Sequence, residues 1–401
     1  MGRRPSKRLV SKMRSSPKIR RPKKKTRTGV RKTFATRSSA TSRLTSKMRR
    51  GPHVHDPRTG EILESDILWY HNVMNLLRNW FFVQTAAVNE EARNVQFEDE
   101  LMGELIRFVS AHEVGHTLGF PHNMGSSVAY PVDSLRSPTF TASNGTAPSI
   151  MDYARFNYIA QPEDGVTNFY PMIGPYDDWA TWYGYRPIEG VTSPDDEEDQ
   201  LNAWILEKAG NPLYRYGRQR RDPVDPSAQT EDLGDDSMIA SELGIRNLKR
   251  IMENLEEWAI QPGKDFDDLA ELYANVVGQY NRYMGHVTSN VGGIYEVYKT
   301  GDENEAIYTH VEAEKQKRAV KFLNDQLFDT PEWLINTSIL RKTDESGIVD
   351  QVKRVQTRTL GRLIDPDRLK RVLENEALNG SDAYNAQEMM TDLRTGIFAE
   401  V

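Results

Sequence analysis

The chain has 401 residues, 38% of them hydrophobic, and no cysteine. That is length for two or three domains and a sizeable core, without a disulfide framework, a thiolate nucleophile or a Cys-based metal site. The formal charge of −6 hides a split: residues 1–50 hold 20 of the 52 Lys and Arg and no Asp or Glu, leaving 32 basic against 58 acidic side chains beyond them.

Residues 1–50 carry a single aromatic, Phe34, and too little apolar surface to offset chain entropy, so they read as a disordered basic segment. No apolar stretch follows the positive start, as a signal peptide would require. A run of this kind attracts phosphate non-specifically, which keeps a nucleic-acid-binding arm as one reading. A solvated tail is another. A third, suggested by the abrupt change of composition at Gly51, is a segment foreign to the domain that follows, as a shifted reading frame would produce.

Over 51–65, turn chemistry (DPRTG) precedes a strand-like EIL and predicts a short hairpin. Helices are predicted over 66–87 and from about Phe97. The second places Leu101, Leu105, Phe108, Val109, His112 and His116 on overlapping faces at i+3/i+4 spacing. Residues 121–190, rich in Gly, Pro, Asn, Ser and Tyr, read as loop. An acidic run at 195–199 precedes a short helix over 201–209, as a solvated N-terminal turn does. From Asp235 the pattern is helical. Ile245, Leu248, Met252, Leu255 and Ala259 mark one amphipathic face, and Phe266, Leu269, Tyr273, Val276 and Tyr280 a second. Further helices are predicted near 311–328, 350–364, 366–378 and 385–399. No apolar run reaches the roughly 18 residues that span a bilayer, so no transmembrane segment is expected.

One segment, HEVGHTLGFPH (112–122), has the spacing of a metal site. His112 and His116 stand four residues apart and so lie one above the other on a helix face, where two imidazoles can meet one ion. Glu113 sits one residue round the helix, beside the ion without being needed as a ligand. Gly119 can adopt positive φ, end the helix and turn the chain so that His122 returns as third ligand. Three imidazoles leave one position open, as in a catalytic zinc site; Co²⁺ or Ni²⁺ would also accept this ligand set. The competing readings are a core helix that happens to carry histidines and a genuine site in an inactive relative.

Met151 follows His122 by 29 residues, within Ser149-Ile150-Met151-Asp152-Tyr153. The elongated motif with this downstream turn resembles the metzincin clan of zinc endopeptidases. DPRTGEIL (56–63), HEVGHTLGFPHN (112–123), SIMDYARFNYIAQPEDG (149–165), GPYDDWATWYGY (174–185) and DPSAQTEDLGDD (225–236) are together similar to the bacterial zinc-dependent metalloproteases of the Met-zincin domain family. The resemblance implies one catalytic Zn²⁺ on His112, His116 and His122, with Met151 as an apolar floor beneath them. It implies Glu113 as the general base that deprotonates a metal-activated water, and a peptide or protein substrate. Tyr153 inherits either a role at the zinc or at the oxyanion, or simple packing with its hydroxyl on the backbone. Family members are exported or envelope-associated and extend further at both ends, so the chain reads as a fragment. The expected fold is α+β and predominantly helical: a metzincin-like catalytic module with a reduced N-terminal sheet over 51–190, then a helical C-terminal region over 191–401.

Other residues admit plainer accounts. Asp177 and Asp178 are candidates to support a ligand histidine or to cap a helix. Asp225, Glu231, Asp232, Asp235 and Asp236 offer oxygens for Ca²⁺ or acids for a helix start. His53, His55, His71, His286 and His310 are expected at the surface or in the core. Three functions stand after this reading: a zinc endopeptidase, an inactive pseudo-protease or helical scaffold, and a basic-tailed nucleic-acid binder.

Overall fold

The computed structural model describes residues 53–399 apart from 59, 68, 70, 71 and 345–347. The basic segment 1–50 and His71 lie outside the described residues.

The hairpin predicted over 51–65 is an antiparallel pair, β1 (His53–His55) and β2 (Ile62–Ser65), with a register shift between Val54 and His55. Helix α1 (Val73–Thr85) follows, starting later than the apolar run at 66 suggests. Its Leu77, Phe81 and Phe82 are fully buried. Phe81 meets Phe156 edge-on at 4.9 Å and stacks on Tyr170 at 5.4 Å, which ties the helix to the loops ahead. Helix α2 (Asp99–Thr117) carries the metal motif; its Leu101, Leu105 and Val109 are buried on the predicted face.

The stretch 121–190, expected as loop, is interrupted by short helices at Val132–Leu135 and Pro138–Asn144 and by α3 (Pro175–Tyr185). The acidic run forms a tight turn at Pro194–Glu197 that leads into α4 (Glu198–Leu206). Hydrogen bonds from Thr192 and Ser193 hold the exposed Asp196 carboxyl below its ordinary range.

Two long helices form the body. In α5 (Ser237–Ala259), Asp236 caps the N-terminus by accepting from the Met238 and Ile239 N–H groups at 3.0 and 3.1 Å. All five residues of the predicted face are buried there. In α6 (Asp267–Thr288) four of five are buried; Phe266 is the exception, standing exposed at the N-cap, outside the helical rotation that the other four share. Each such aliphatic or aromatic side chain contributes about 1.5–3 kcal/mol on burial. Helix α1 packs on both α5 and α6. Arg78 of α1 reaches Asp268 and Glu271 of α6, each at 2.8 Å.

A second small sheet, β3 (Ile294–Glu296) against β4 (Tyr308–His310), stands within the helical C-terminal region, where the sequence pattern does not predict it. Three-residue strands are too short to show a period of two, and their neighbours are helical. Helices α7 (Ala313–Leu323), α8 (Ile348–Leu363), α9 (Pro366–Asn379) and α10 (Ala386–Ile397) lie near their predicted ranges, and a short helix at Thr337–Thr343, which the sequence pattern does not predict, stands between α7 and α8. The fold is thus predominantly helical α+β. Among the described residues, no helix is long and apolar enough to cross a membrane.

Candidate metal centre

Helix α2 ends as its sequence requires. Gly119 has φ +89°, and the Gly119 and Phe120 N–H groups bond back to the His116 and Gly115 carbonyls at 2.9 and 3.1 Å. From α3, the Tyr185 hydroxyl donates to the Leu118 carbonyl at 2.6 Å and braces the same end. The turn returns His122 to the helix face.

All three imidazoles are oriented from behind. Nδ1–H of His112 donates to the Ile150 carbonyl (2.7 Å), that of His116 to the Phe120 carbonyl (2.8 Å) and that of His122 to Gln219 Oε1 (2.8 Å). Because these acceptors carry no proton, each neutral ring keeps its hydrogen on Nδ1 and turns a bare Nε2 inward. His122 Nε2 lies 3.2 Å from that of His112 and 3.0 Å from that of His116. Lone pairs this close repel one another unless a cation sits between them. Tetrahedral zinc with Zn–N near 2.0–2.1 Å would set its donors roughly 3.3 Å apart, so the donor set fits that ion. Among the described residues this is the one His/Asp/Glu group able to hold a metal. The remaining described histidines stand elsewhere; His286 donates from Nε2 to the Thr230 carbonyl, and burial lowers its pKa to about 4.

Met151 is 1% exposed and packs against α2 at Gly115. A Cβ on Gly115 would come within 2.2 Å of its Sδ, so the helix admits the thioether only because position 115 has no side chain. A glycine inside a helix costs about 1 kcal/mol against alanine, which is the signal in the sequence that this position serves another purpose. Gly115→Ala is therefore expected to destabilise the fold by about 1–3 kcal/mol through overpacking, despite its better helix propensity. Urea titration checks this; a gain in stability would show that Met151 moves freely aside.

Asp177 holds the turn. Its carboxylate accepts from the Ser149 hydroxyl (2.6 Å), the Ile150 N–H (2.7 Å) and the Gly174 N–H (2.9 Å). The last bond caps α3, and the Ile150 bond places Asp177 one residue behind the carbonyl that orients His112. Both roles weighed for this residue therefore meet in one side chain, while Asp178 is exposed on the first turn of α3.

Glu113 is buried at 4% exposure on the packed side of α2, whereas Val114, next along, is 46% exposed. The Tyr153 ring lies 4.3 Å from that of His122 and stacks on that of His112 at 5.2 Å. Arg155 places its guanidinium 3.2 Å over Trp80 and 5.2 Å from the Tyr153 ring.

Of the five acids considered for Ca²⁺ or a helix start, only Asp236 caps a helix. Asp225 pairs with Arg215 at 2.6 Å, Asp235 accepts from the Val132 N–H at 3.0 Å, and Glu231 pairs with Arg155 and Arg282. Asp232 is buried beside Asp152, a residue to which the sequence assigns no role. Ser127 joins them, donating its N–H to Asp152 (2.8 Å) and its hydroxyl to Asp232 (3.4 Å). Burial pushes both carboxyls up, that of Asp152 further through the Asp232 charge, and that of Asp232 from 3.8 to about 7. A carboxyl raised in this way binds more protons folded than unfolded. Its contribution therefore declines as the pH rises from about 4 to about 7. Asp232→Asn is expected to flatten that slope in urea titrations and to be the more stable protein above about pH 7. An unchanged slope would count against the buried pair.

A further group comes from far along the chain. Asn123 accepts the Gly217 N–H at 2.8 Å and donates to the Arg215 carbonyl at 2.9 Å, while the Met124 N–H meets the Gly217 carbonyl at 2.8 Å. These bonds lay residues 215–219 alongside the third histidine. Gln219 stands 97 residues from the histidine it contacts, and nothing local marks it.

A family model described as Met-zincin matches residues 94–401. No curated protein and no solved structure matches the chain. The match covers α2 with His112 and His116, the loop that bears His122, the turn at Met151 and the helices beyond them: the chain belongs to the Met-zincin family.

Proposed function

We propose that the chain is a zinc-dependent endopeptidase. The observation that carries this reading is the convergence of three Nε2 lone pairs, each ring held through its Nδ1–H, next to a buried glutamate. When bound, zinc supplies Lewis acidity toward water and toward the carbonyl of the scissile peptide.

The remaining steps belong to this chain's own side chains. Glu113 accepts a proton from the attacking water and delivers it to the leaving amine. The Tyr153 hydroxyl donates to the oxyanion that develops on the carbonyl. Met151 serves the histidines as an apolar floor, a role supported by its burial against Gly115 of α2. The hydrogen bonds behind the histidines hold them in one tautomer and orientation, so little rearrangement accompanies binding of the ion.

Zinc stoichiometry combined with a casein digest tests the proposal. Purified chain is expected to carry one zinc ion and to cleave casein, with both lost on chelation. His122→Ala is expected to lower zinc occupancy, and full retention would remove it from the ligand set. Zinc bound at full occupancy with no hydrolysis would favour the pseudo-protease instead.

A further inference from the structure

We propose that Gln219 is a positioning residue for the third histidine and sets the affinity of the centre for its metal. The inference rests on reading the His112, His116 and His122 triad as a zinc centre.

Two of the three Nδ1–H acceptors are main-chain carbonyls, Ile150 and Phe120, fixed by the fold itself. The third is a side-chain amide, so His122 is the one ligand whose support a single substitution can remove. Its orientation needs that support most. His112 and His116 are anchored on α2, whereas His122 lies in the loop beyond Gly119. In a neutral imidazole one proton must choose between two nitrogens. An acceptor at Nδ1 draws it there and leaves Nε2 for the ion. Hydrogen bonding at that position also raises the basicity of the ligand.

Gln219 is built for this contact. Its bond to His122 is its one side-chain hydrogen bond among the described residues. The segment that presents it is fixed on both sides. Arg215 reaches Asp225 at 2.6 Å, the Ser227 carbonyl at 3.1 Å and the Glu296 carbonyl at 3.3 Å. Arg220 pairs with Glu296 at 2.6 Å. Between them, the Asn123 side chain and the Met124 N–H lock Gly217 to the loop that bears His122. The amide is thus carried on a braced segment to the back of the ring, and the region beyond residue 190 supplies a group to the centre.

The test compares Gln219→Leu, which keeps the bulk and loses the acceptor, with Gln219→Glu, which offers a stronger one. Zinc dissociation constants are measured on the full chain by competition with a chromophoric chelator, alongside thermal unfolding of the metal-free forms. Gln219→Leu is expected to weaken zinc binding by about 10-fold or more, within the range of such supporting contacts. Gln219→Glu is expected to bind as tightly as the parent or tighter. Metal-free unfolding should hardly move, because the side chain is exposed and makes no other side-chain hydrogen bond among the described residues. Nitrogen-15 shifts of the zinc-loaded protein should show the Nδ1–H tautomer of His122 in the parent and in Gln219→Glu. If the parent binds zinc and Gln219→Leu binds it equally well, the role of Gln219 is overturned while the zinc centre stands. Equal weakening in both variants would also overturn it, since a carboxylate accepts the same proton. If the parent binds no zinc, the zinc reading itself fails.

Discussion

Replacing Glu113 with alanine is expected to lower peptide hydrolysis by about 10²–10⁴-fold, the range that a positioned general base contributes, while zinc stoichiometry stays that of the parent. The separation follows from the geometry. The three nitrogens that converge belong to histidines, and their supports are Ile150, Phe120 and Gln219, so removing the glutamate takes nothing from the ligand set. Glu113 is buried on α2 next to His112 and does not belong to the group of ligand atoms that converge. Glu113→Gln retains the shape and hydrogen-bonding capacity of the side chain but cannot act as the base, and should be nearly as inactive. Measuring kcat and bound metal on the same samples decides the matter. Undiminished turnover would remove Glu113 from the mechanism, and loss of zinc together with activity would make it a structural contributor.

The largest expected loss of stability lies outside the metal ligands. Glu231 is 2% exposed and receives Arg155, itself 7% exposed, and Arg282 at 2.7 Å. Glu231→Ala leaves a buried guanidinium without its counter-charge, and breaking a buried pair in this way costs about 3–5 kcal/mol. Arg155 and Glu231 also both hold positive φ, +51° and +67°, conformations that non-glycine residues adopt only when their surroundings compel it. The ion pair supplies that compulsion at both ends. Arg155 follows Tyr153 by two residues and stacks on Trp80 of α1, so its release should also loosen the turn at Met151. Urea titration of Glu231→Ala, Arg155→Met and the double variant checks this. The double variant should lose clearly less than the two single losses together; strict additivity, or a loss below about 1 kcal/mol for Glu231→Ala, would refute the coupling.

What could be read from the sequence was local. Two histidines four residues apart on an amphipathic pattern already specify one face of one helix, and a glycine three residues after the second specifies where that helix turns. The aliphatic spacing of α5 fixed its buried face for the same reason, as a period of 3.6 needs no partner to be visible. Phe266 failed because an apolar residue at a helix start satisfies the spacing without entering the rotation. The strands β3 and β4 escaped because three residues carry too little pattern to separate them from their helical neighbours.

The sequence by itself determined the three histidines that converge, the glutamate next to the first of them and the helical character of the body, since each depends on residues that backbone geometry brings together within a turn or two. The tertiary structure alone decided what stands behind those ligands. Asp177 sits 27 residues from the Ile150 N–H it holds, Gln219 sits 97 from His122, and Glu231 draws in Arg155 and Arg282 from separate segments. Such pairings leave no periodic trace, because a hydrogen bond or ion pair constrains where two side chains meet in space and says nothing about how much chain lies between them.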